Sequence, residues 1–167
     1  RGLGDVYKRQ TYGLTESGGL GITMRGSAYL DNPLAAGRPT PPLLEIKVVD
    51  EQYEQVPVGQ VGELLLKSPA NMRCYLNRAE DTAQTLRDGW LSTGDLAKID
   101  EEGIIYIVDR KKNIIIRGGE NISCAEVQTI FHCHPDVVEV CVFPVADDRL
   151  GETVGAAVFI SDCAKTS

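Results

Sequence analysis

A short glycine-rich segment near the start of the chain carries side chains that could bind a nucleotide. It spans residues 11–19 and contains an aromatic residue, Tyr12, followed by Thr15 and Glu16. Glycine lets a ligand approach the backbone closely. A threonine hydroxyl can hold a phosphate oxygen, and a carboxylate can ligate a Mg²⁺ ion that the phosphates also contact. Such loops are also common turns, so the segment alone leaves both interpretations open.

A second candidate group is the carboxylate of Asp95. It follows Ser92, Thr93 and Gly94, at a place where glycine favours a sharp backbone turn. An ionised carboxylate in such a place can accept hydrogen bonds from two neighbouring hydroxyls, as a ribose presents them. The alternative is an ordinary aspartate in the loop before a strand.

A third candidate region spans residues 109–126. It opens with clustered basic residues, continues through a β-branched run and turns at Gly118 and Gly119. Ser123 is a suitable N-cap, and Glu126 follows three residues later, which is the pattern of a capping box. The region therefore predicts a strand, a turn and a helix. Its basic residues could contact a ligand or could be solvated charges at the end of a strand.

The elements that would position these residues follow from hydrophobic periodicity. The predictions are a hairpin-like strand pair over residues 43–67, a short helix capped by Asn77, a hairpin over residues 96–108, and two strands over residues 137–145 and 153–160. In the helix that follows Ser123, the predicted buried stripe comprises Val127, Ile130, Phe131 and His134. This alternation predicts an α/β or α+β fold.

Composition excludes several classes of protein. A chain of 167 residues with a net charge of −7 forms one sizeable domain or two small ones and argues against a nucleic-acid partner. No apolar run is long enough to span a bilayer, and no signal peptide is apparent. Five cysteines predict free thiols in a reducing, cytoplasmic compartment. His132, Cys133 and His134 do not predict a zinc site, because neighbouring side chains on a helix point about 100° apart.

Several segments together resemble the adenylate-forming superfamily, which comprises acyl-CoA synthetases, adenylation domains of peptide synthetases and firefly luciferase. The segments, in order, are Tyr-Gly-Leu-Thr-Glu (12–16), Gly-Glu-Leu (62–64), Tyr-Leu-Asn (75–77), Trp-Leu-Ser-Thr-Gly-Asp (90–95) and the stretch from Asp-Arg-Lys-Lys to Gly-Gly-Glu-Asn-Ile (109–122). The resemblance covers nearly the whole chain. Its Gly-Gly-Glu-Asn-Ile version is most similar to fatty-acyl or aryl acyl-CoA synthetases.

The resemblance implies a role for each matching residue around ATP or AMP. Tyr12 would stack on the adenine ring, Thr15 would contact the α-phosphate, and Glu16 would ligate Mg²⁺. Asp95 would hold both ribose hydroxyls, and Arg110 would also reach the ribose. Each role agrees with the chemistry of its residue type.

Two further residues would serve the transfer to CoA. Lys112 falls where the family has the hinge between its large and small domains, and Gly119 falls where backbone lines the pantetheine channel. In the family reaction, a carboxylate attacks the α-phosphate of Mg·ATP and gives an acyl-adenylate and pyrophosphate. The small domain then rotates, and the CoA thiol attacks the activated acyl group.

The resemblance also implies a division of the chain. Residues 11–109 would be the last part of the large AMP-binding domain, β-rich in character, and residues 110–167 the first part of the small α+β domain. Residues 1–10 show no periodicity and are interpreted as a non-native leader. The chain is thus expected to be incomplete at both ends.

Two parts of the family pattern have no match. One is the Ser/Thr/Gly-rich loop ending in Pro-Lys that grips pyrophosphate, and the other is a Lys preceded by Gly near the C-terminus. Lys165 follows Ala164 and is not assigned that role. We therefore expect no adenylation by the chain alone, and exposed apolar surface with marginal stability over residues 43–109. The alternatives are a peptide-synthetase fragment or a short nucleotide-binding protein without catalysis.

Overall fold

The computed structural model describes residues 9–19 and 21–161, and the chain forms two compact units that divide between Val108 and Asp109. Residues 1–8 of the predicted leader and Lys165 lie outside the described residues, whereas Arg9 and Gln10 lie in the first strand. Among the described residues, no helix is long and apolar enough to cross a membrane.

The first unit is dominated by β-structure. Its strands are β1 (Arg9–Tyr12), β2 (Ile22–Arg25), β3 (Glu45–Val49), β4 (Gly62–Lys67), β5 (Leu86–Arg87), β6 (Trp90–Ile99) and β7 (Ile105–Arg110), and its helices are α1 (Ser27–Asp31) and α2 (Ala79–Thr85). β1 and β2 form a two-stranded hairpin. The other strands form a five-stranded sheet in the order β3-β4-β6-β5, in which β7 also pairs with β6. The antiparallel β3–β4 pair confirms the hairpin predicted over residues 43–67.

The core of this unit is centred on β4. Because β4 lies between β3 and β6, its five residues from Gly62 to Leu66 are all buried, as in a strand covered on both faces. Leu64 and Leu66 belong to the main apolar cluster together with Leu91 of β6 and Ile105 of β7. This packing holds β6, which carries Asp95, against β4.

For the first unit, one prediction is wrong and one open alternative is excluded. Asn77 does not cap a helix: α2 begins at Ala79, and Asn77 has a φ of 57°. Asparagine tolerates this left-handed conformation, so it turns the chain before the helix begins. Asp95 does not lie in a loop before a strand, because β6 runs without a break from Trp90 to Ile99. Pairing with β4 on both sides of Gly94, at Ser92 and at Leu96, extends the strand across the glycine.

The predicted apolar exposure is present in part. Large apolar side chains between residues 43 and 109 that are exposed include Leu43, Val58, Val61, Leu76 and Val108. The marginal stability of this region stays a prediction.

The second unit packs one helix on a four-stranded sheet. Its elements are β8 (Ile114–Arg117), β9 (Glu120–Ser123), α3 (Cys124–His132), β10 (Val137–Asp147) and β11 (Gly151–Ile160), with the strand order β10-β11-β8-β9. The predicted strand, turn and helix are present, but the short strand β9 lies between the turn and the helix. The two predicted C-terminal strands are confirmed as the antiparallel pair β10–β11.

The buried stripe of α3 differs from the prediction. Cys124 is buried with Ile115 and Val142, and Val127 and Phe131 pack on this cluster. Ile130, by contrast, is 67% exposed, and His134 lies beyond the end of the helix. The register is set by Cys124, and Ile130 lies about 240° around the helix from it. The predicted stripe is therefore correct for Val127 and Phe131 and wrong for Ile130 and His134.

The N-terminus of α3 offers a test of stability. Ser123 Oγ accepts a hydrogen bond from the Glu126 N–H at 3.2 Å and donates to the Asp109 carboxylate. Replacing Ser123 with alanine is expected to lower the free energy of unfolding by about 1–2 kcal/mol, because the cap is lost. Urea unfolding of the chain followed by circular dichroism measures this change.

Thr129→Ala is the matched control, since it removes a hydroxyl from the same helix. Thr129 Oγ1 donates back to the Ala125 carbonyl of the preceding turn, and alanine is the better helix former. We expect little change or a slight gain in stability. Equal destabilisation by both substitutions would contradict a specific role of Ser123.

Candidate active site

Tyr12 and Asp95, which lie 83 residues apart in sequence, meet in the first unit. The Tyr12 hydroxyl at the end of β1 donates a hydrogen bond of 2.6 Å to Asp95 Oδ2 on β6. Asp95 is 4% exposed, and Tyr12 is half-buried. A buried carboxylate held by a phenol presents a fixed acceptor beside an aromatic ring.

The strand is distorted at Asp95 in a way that the glycine before it allows. Gly94 has a φ of 71°, and the β4–β6 register shifts between Glu63 and Leu65. Thr93 Oγ1 donates to the Leu64 carbonyl at 2.7 Å and accepts from the Asp95 N–H at 3.1 Å. The irregularity therefore has its own hydrogen bonds and re-aims the Asp95 side chain, as bulges near active sites commonly do.

The turn after Tyr12 carries Thr15, predicted to contact the α-phosphate, and Glu16, predicted to ligate Mg²⁺. Residues 15–17 form a 3₁₀ turn, closed by the fully buried Ser17, which donates to the Leu14 carbonyl and accepts from the Leu14 N–H. Thr15 is exposed and Glu16 is half-buried. Gly21 follows, and a Cβ there would lie 1.6 Å from the Tyr12 carbonyl oxygen, so only glycine fits where the chain returns past Tyr12.

Glu16 is held by a segment that the sequence analysis did not place in the site. The Tyr75 hydroxyl donates to Glu16 Oε1 at 2.8 Å, and the Met72 N–H donates to the Glu16 carbonyl at 2.6 Å. The hydrogen bond to Glu16 and burial raise the pKa of Tyr75 above its ordinary value. The phenol therefore stays protonated at neutral pH and remains a donor. Tyr75 was noted only as part of a short matching segment, and no local pattern places it beside Glu16.

The second unit carries Arg110, Lys112 and Gly119. Arg110 ends β7, Lys112 is exposed in a 3₁₀ turn formed by residues 111–113, and Gly119 is exposed in the β8–β9 turn with a φ of 90°. A Cβ on Gly119 would meet no atom within 4 Å. Its requirement in this unit is therefore conformational, since φ near 90° favours glycine.

Asp109 joins this turn to the start of α3. Its carboxylate accepts from the Arg110 N–H at 2.7 Å, from Asn113 Nδ2 at 3.4 Å and from the Ser123 hydroxyl. Asp109 itself is buried. These hydrogen bonds fix the place at which the backbone leaves β7 and enters the turn that carries Lys112.

The part of the chain that the structure describes shows no clustered metal ligands, and its cysteines are free thiols. Residues 9–19 and 21–161 contain no group of three or more His, Cys, Asp or Glu side chains that could hold a metal ion. Burial, followed by the charge of Asp109, raises the pKa of the Cys124 thiol, so it is neutral at pH 7. The described cysteines, Cys74, Cys124, Cys133 and Cys141, are all free thiols.

Comparison with known proteins identifies the family. Residues 3–76 match the family of AMP-binding enzymes. A fatty acid–[acyl-carrier-protein] ligase of Streptomyces coeruleorubidus is 40% identical over 92% of this chain. The chain belongs to the AMP-binding enzyme family. A second relative within this family, a 2-succinylbenzoate–CoA ligase of Bacillus cereus, is 37% identical over 89% of the chain. The chain spans 30% of the length of the first ligase and 31% of the second.

Two solved enzyme structures share the fold of this chain. The o-succinylbenzoate CoA synthetase of Bacillus subtilis, solved with its acyl-adenylate intermediate, matches 94% of the chain with a TM-score of 0.81 and 32% identity. The amide bond synthetase of Marinactinospora thermotolerans matches 92% with a TM-score of 0.74 and 34% identity. In each case the match covers 32% of the solved chain. The predicted adenylate-forming fold is thereby confirmed.

Proposed function

We propose that the chain is part of an ATP-dependent acid–thiol ligase that activates a carboxylic acid as its adenylate and transfers the acyl group to CoA. The observation that carries this proposal is the hydrogen bond between Tyr12 and Asp95. It joins the aromatic residue and the carboxylate that two separate motifs supply for the adenine ring and the ribose. The family of the chain and the names of its relatives support the same reaction class.

The proposed nucleotide contacts agree with the geometry of the first unit. Asp95 accepts the Tyr12 hydrogen bond through Oδ2, and a carboxylate can accept several hydrogen bonds, so this contact is compatible with binding of the ribose hydroxyls. Tyr12 would stack its ring on adenine. Its hydroxyl bonds to Asp95, which orients the ring without using the ring face. Thr15 is exposed, as contact with an α-phosphate requires. Arg110 of the second unit is proposed to reach the ribose.

Glu16 fits the proposed magnesium role. Mg²⁺ is usually bound by one or two carboxylates together with the phosphates of a substrate, not by an all-protein cage. One carboxylate at this turn matches that donor set. Bound there, the ion would supply charge neutralisation to the phosphates, while Glu16 supplies the protein's oxygen ligand.

The second unit is proposed to serve transfer to CoA. Lys112 would be the hinge between the large domain, to which residues 11–109 would belong, and the small domain, which would begin with residues 110–167. Gly119 would line the pantetheine channel with backbone. The exposure of both residues supports these roles. Rotation of the small domain about this hinge would let one protein carry out two half-reactions in sequence.

Two candidates are proposed for the acid substrate and two for the thiol that accepts the acyl group. The acid is proposed to be a fatty or aryl acid, since one relative is named for a fatty acid and another for 2-succinylbenzoate. The acceptor is proposed to be CoA, with an acyl-carrier protein as the second candidate, because the Streptomyces relative is named for it. We also propose a cytoplasmic location, supported by the free thiols.

Acid-dependent ATP–pyrophosphate exchange tests the proposal. We expect exchange by the complete ligase with at least one acid from a panel of fatty and aryl acids, and no exchange by the 167-residue chain alone. Adding CoA or holo-acyl-carrier protein then decides the acceptor. Failure of the complete protein with every acid would contradict the proposed function. Exchange by the chain alone would contradict its expected inactivity.

A further inference from the structure

The loop between β4 and α2, residues 68–78, holds both the backbone and the side chain of Glu16. The Met72 N–H donates to the Glu16 carbonyl, and the Tyr75 hydroxyl donates to Glu16 Oε1. A residue fixed at its carbonyl and at one carboxylate oxygen has little freedom left in its side-chain torsions. Glu16 is therefore presented in one orientation.

The loop is tied to α2 at one end and lies against the turn that carries Glu16 at the other. The Tyr75 N–H donates to Thr82 Oγ1 at 3.0 Å, and this hydroxyl donates to the Arg78 carbonyl at 2.8 Å, which ties the loop to α2. At the other end, a Cβ on Gly18 would lie 2.7 Å from the Ala70 carbonyl oxygen. The turn that carries Glu16 and the loop that carries Tyr75 are thus in direct backbone contact.

We propose that Tyr75 is a positioning residue that orients the Glu16 carboxylate toward a divalent cation bound with ATP. This inference rests on the proposed metal role of Glu16. A phenol is a neutral donor, so it fixes Oε1 without cancelling the negative charge of the carboxylate, and it leaves Oε2 as a ligand. Hydrogen-bond partners of this kind commonly change metal affinity by about 10- to 100-fold.

Mn²⁺ binding provides the test, because electron paramagnetic resonance measures it without turnover. The complete ligase is saturated with ATP in the absence of acid, and the ternary Mn²⁺ complex is titrated. We expect Tyr75→Phe to weaken Mn²⁺ binding about tenfold and Glu16→Gln to weaken it at least as much. In exchange assays at constant ATP, the same Tyr75→Phe variant should need about tenfold more free Mg²⁺ for half-maximal rate and recover at saturating Mg²⁺.

Tyr53→Phe is the matched control. Tyr53 also has its hydroxyl 3.4 Å from another side chain, Ser92 Oγ, in the same unit. We expect loss of the Tyr53 hydroxyl to leave Mn²⁺ binding unchanged. Thr82→Val is the second variant: it loosens the Tyr75 backbone without touching Glu16 and should weaken binding in the same direction by a smaller factor. If the Tyr75→Phe protein does not fold, Thr82→Val tests the positioning role of Tyr75 in its place.

The outcomes separate this inference from the proposed function. If Glu16→Gln weakens Mn²⁺ binding and Tyr75→Phe does not, Tyr75 is not a positioning residue, although the metal role of Glu16 stands. If neither substitution weakens it, the metal role of Glu16 is wrong and the role of Tyr75 falls with it. Acid-dependent exchange by the unsubstituted protein independently decides whether the ligase function stands.

Discussion

Replacing Asp95 with alanine is expected to raise the KM for ATP of the complete ligase about 100-fold. The proposed contact is a pair of hydrogen bonds from the ribose hydroxyls to a buried carboxylate. Hydrogen bonds to charged groups contribute about 1.5–3 kcal/mol each, and 1.4 kcal/mol corresponds to a factor of ten. The substitution also leaves the Tyr12 hydroxyl without its 2.6 Å acceptor. Acid-dependent ATP–pyrophosphate exchange at varied ATP gives the KM.

Two further variants divide this effect between its causes. Tyr12→Phe keeps the ring and removes only the hydrogen bond to Asp95, so we expect a rise in KM of a few-fold. Asp50→Ala removes a carboxylate that accepts from Gln52 and Glu54 in an exposed turn of the same unit, and we expect no change in KM. An unchanged KM in Asp95→Ala would contradict the proposed binding of the ribose hydroxyls by this carboxylate.

The residues of the candidate site could be selected from the sequence, but their contacts could not. Tyr12 and Asp95 were chosen by residue type, by a neighbouring glycine and by resemblance. Nothing local relates two positions 83 residues apart, and only the tertiary packing brings them together, through the bridges from Thr23 to Arg38 and from Gly37 to Ile105 that link the β1–β2 hairpin to the larger sheet. The position of Asp95 within a strand also depends on tertiary pairing, which overrides the turn tendency of Gly94.

Strands with clear alternation were predicted well, while helix termini and faces were not. The β3–β4 and β10–β11 pairs follow from their apolar patterns. Asn77 suits both an N-cap and a left-handed turn, and the sequence does not choose between them. For α3, apolar residues stand at more positions than one face can bury, and the packing of Cys124 decides which stripe turns inward.

Tyr75 shows why a supporting residue is harder to find than a ligand. A ligand has a residue type that its chemistry requires, such as a carboxylate for Mg²⁺. A hydrogen-bond donor to that carboxylate can come from many residue types and from any part of the chain that the fold brings near. Tyr75 is recognised only once its hydroxyl is seen 2.8 Å from Glu16.

Replacing Lys112 with proline is expected to slow thioester formation by the complete ligase about 100-fold and to change acid-dependent exchange less than about threefold. A hinge residue must take two backbone conformations. Proline locks φ near −65°, and a conformation that conflicts with the ring costs about 3 kcal/mol, which corresponds to about two powers of ten in rate. Single-turnover transfer from preformed acyl-adenylate measures the second half-reaction separately from the first.

Two controls separate backbone freedom from the rest of Lys112. Lys112→Ala removes the ammonium group and keeps both torsions, so we expect both half-reactions near the unsubstituted rates. Lys111→Pro places the same ring one residue earlier, where the preceding Arg110 already has the extended conformation that proline favours, with φ −86° and ψ 137°. We expect it to slow transfer much less than Lys112→Pro.

The ratio of the two half-reactions is what identifies a hinge. The turn at residues 111–113 is tied through Asp109 to the N-terminus of α3, so general damage to it would spread into the second unit. Such damage would lower adenylation and transfer together, because Arg110 in the same segment is proposed to serve the nucleotide. A selective loss of transfer instead requires that the backbone at Lys112 changes conformation between the steps. Equal losses in both would therefore assign Lys112 to the stability of this turn.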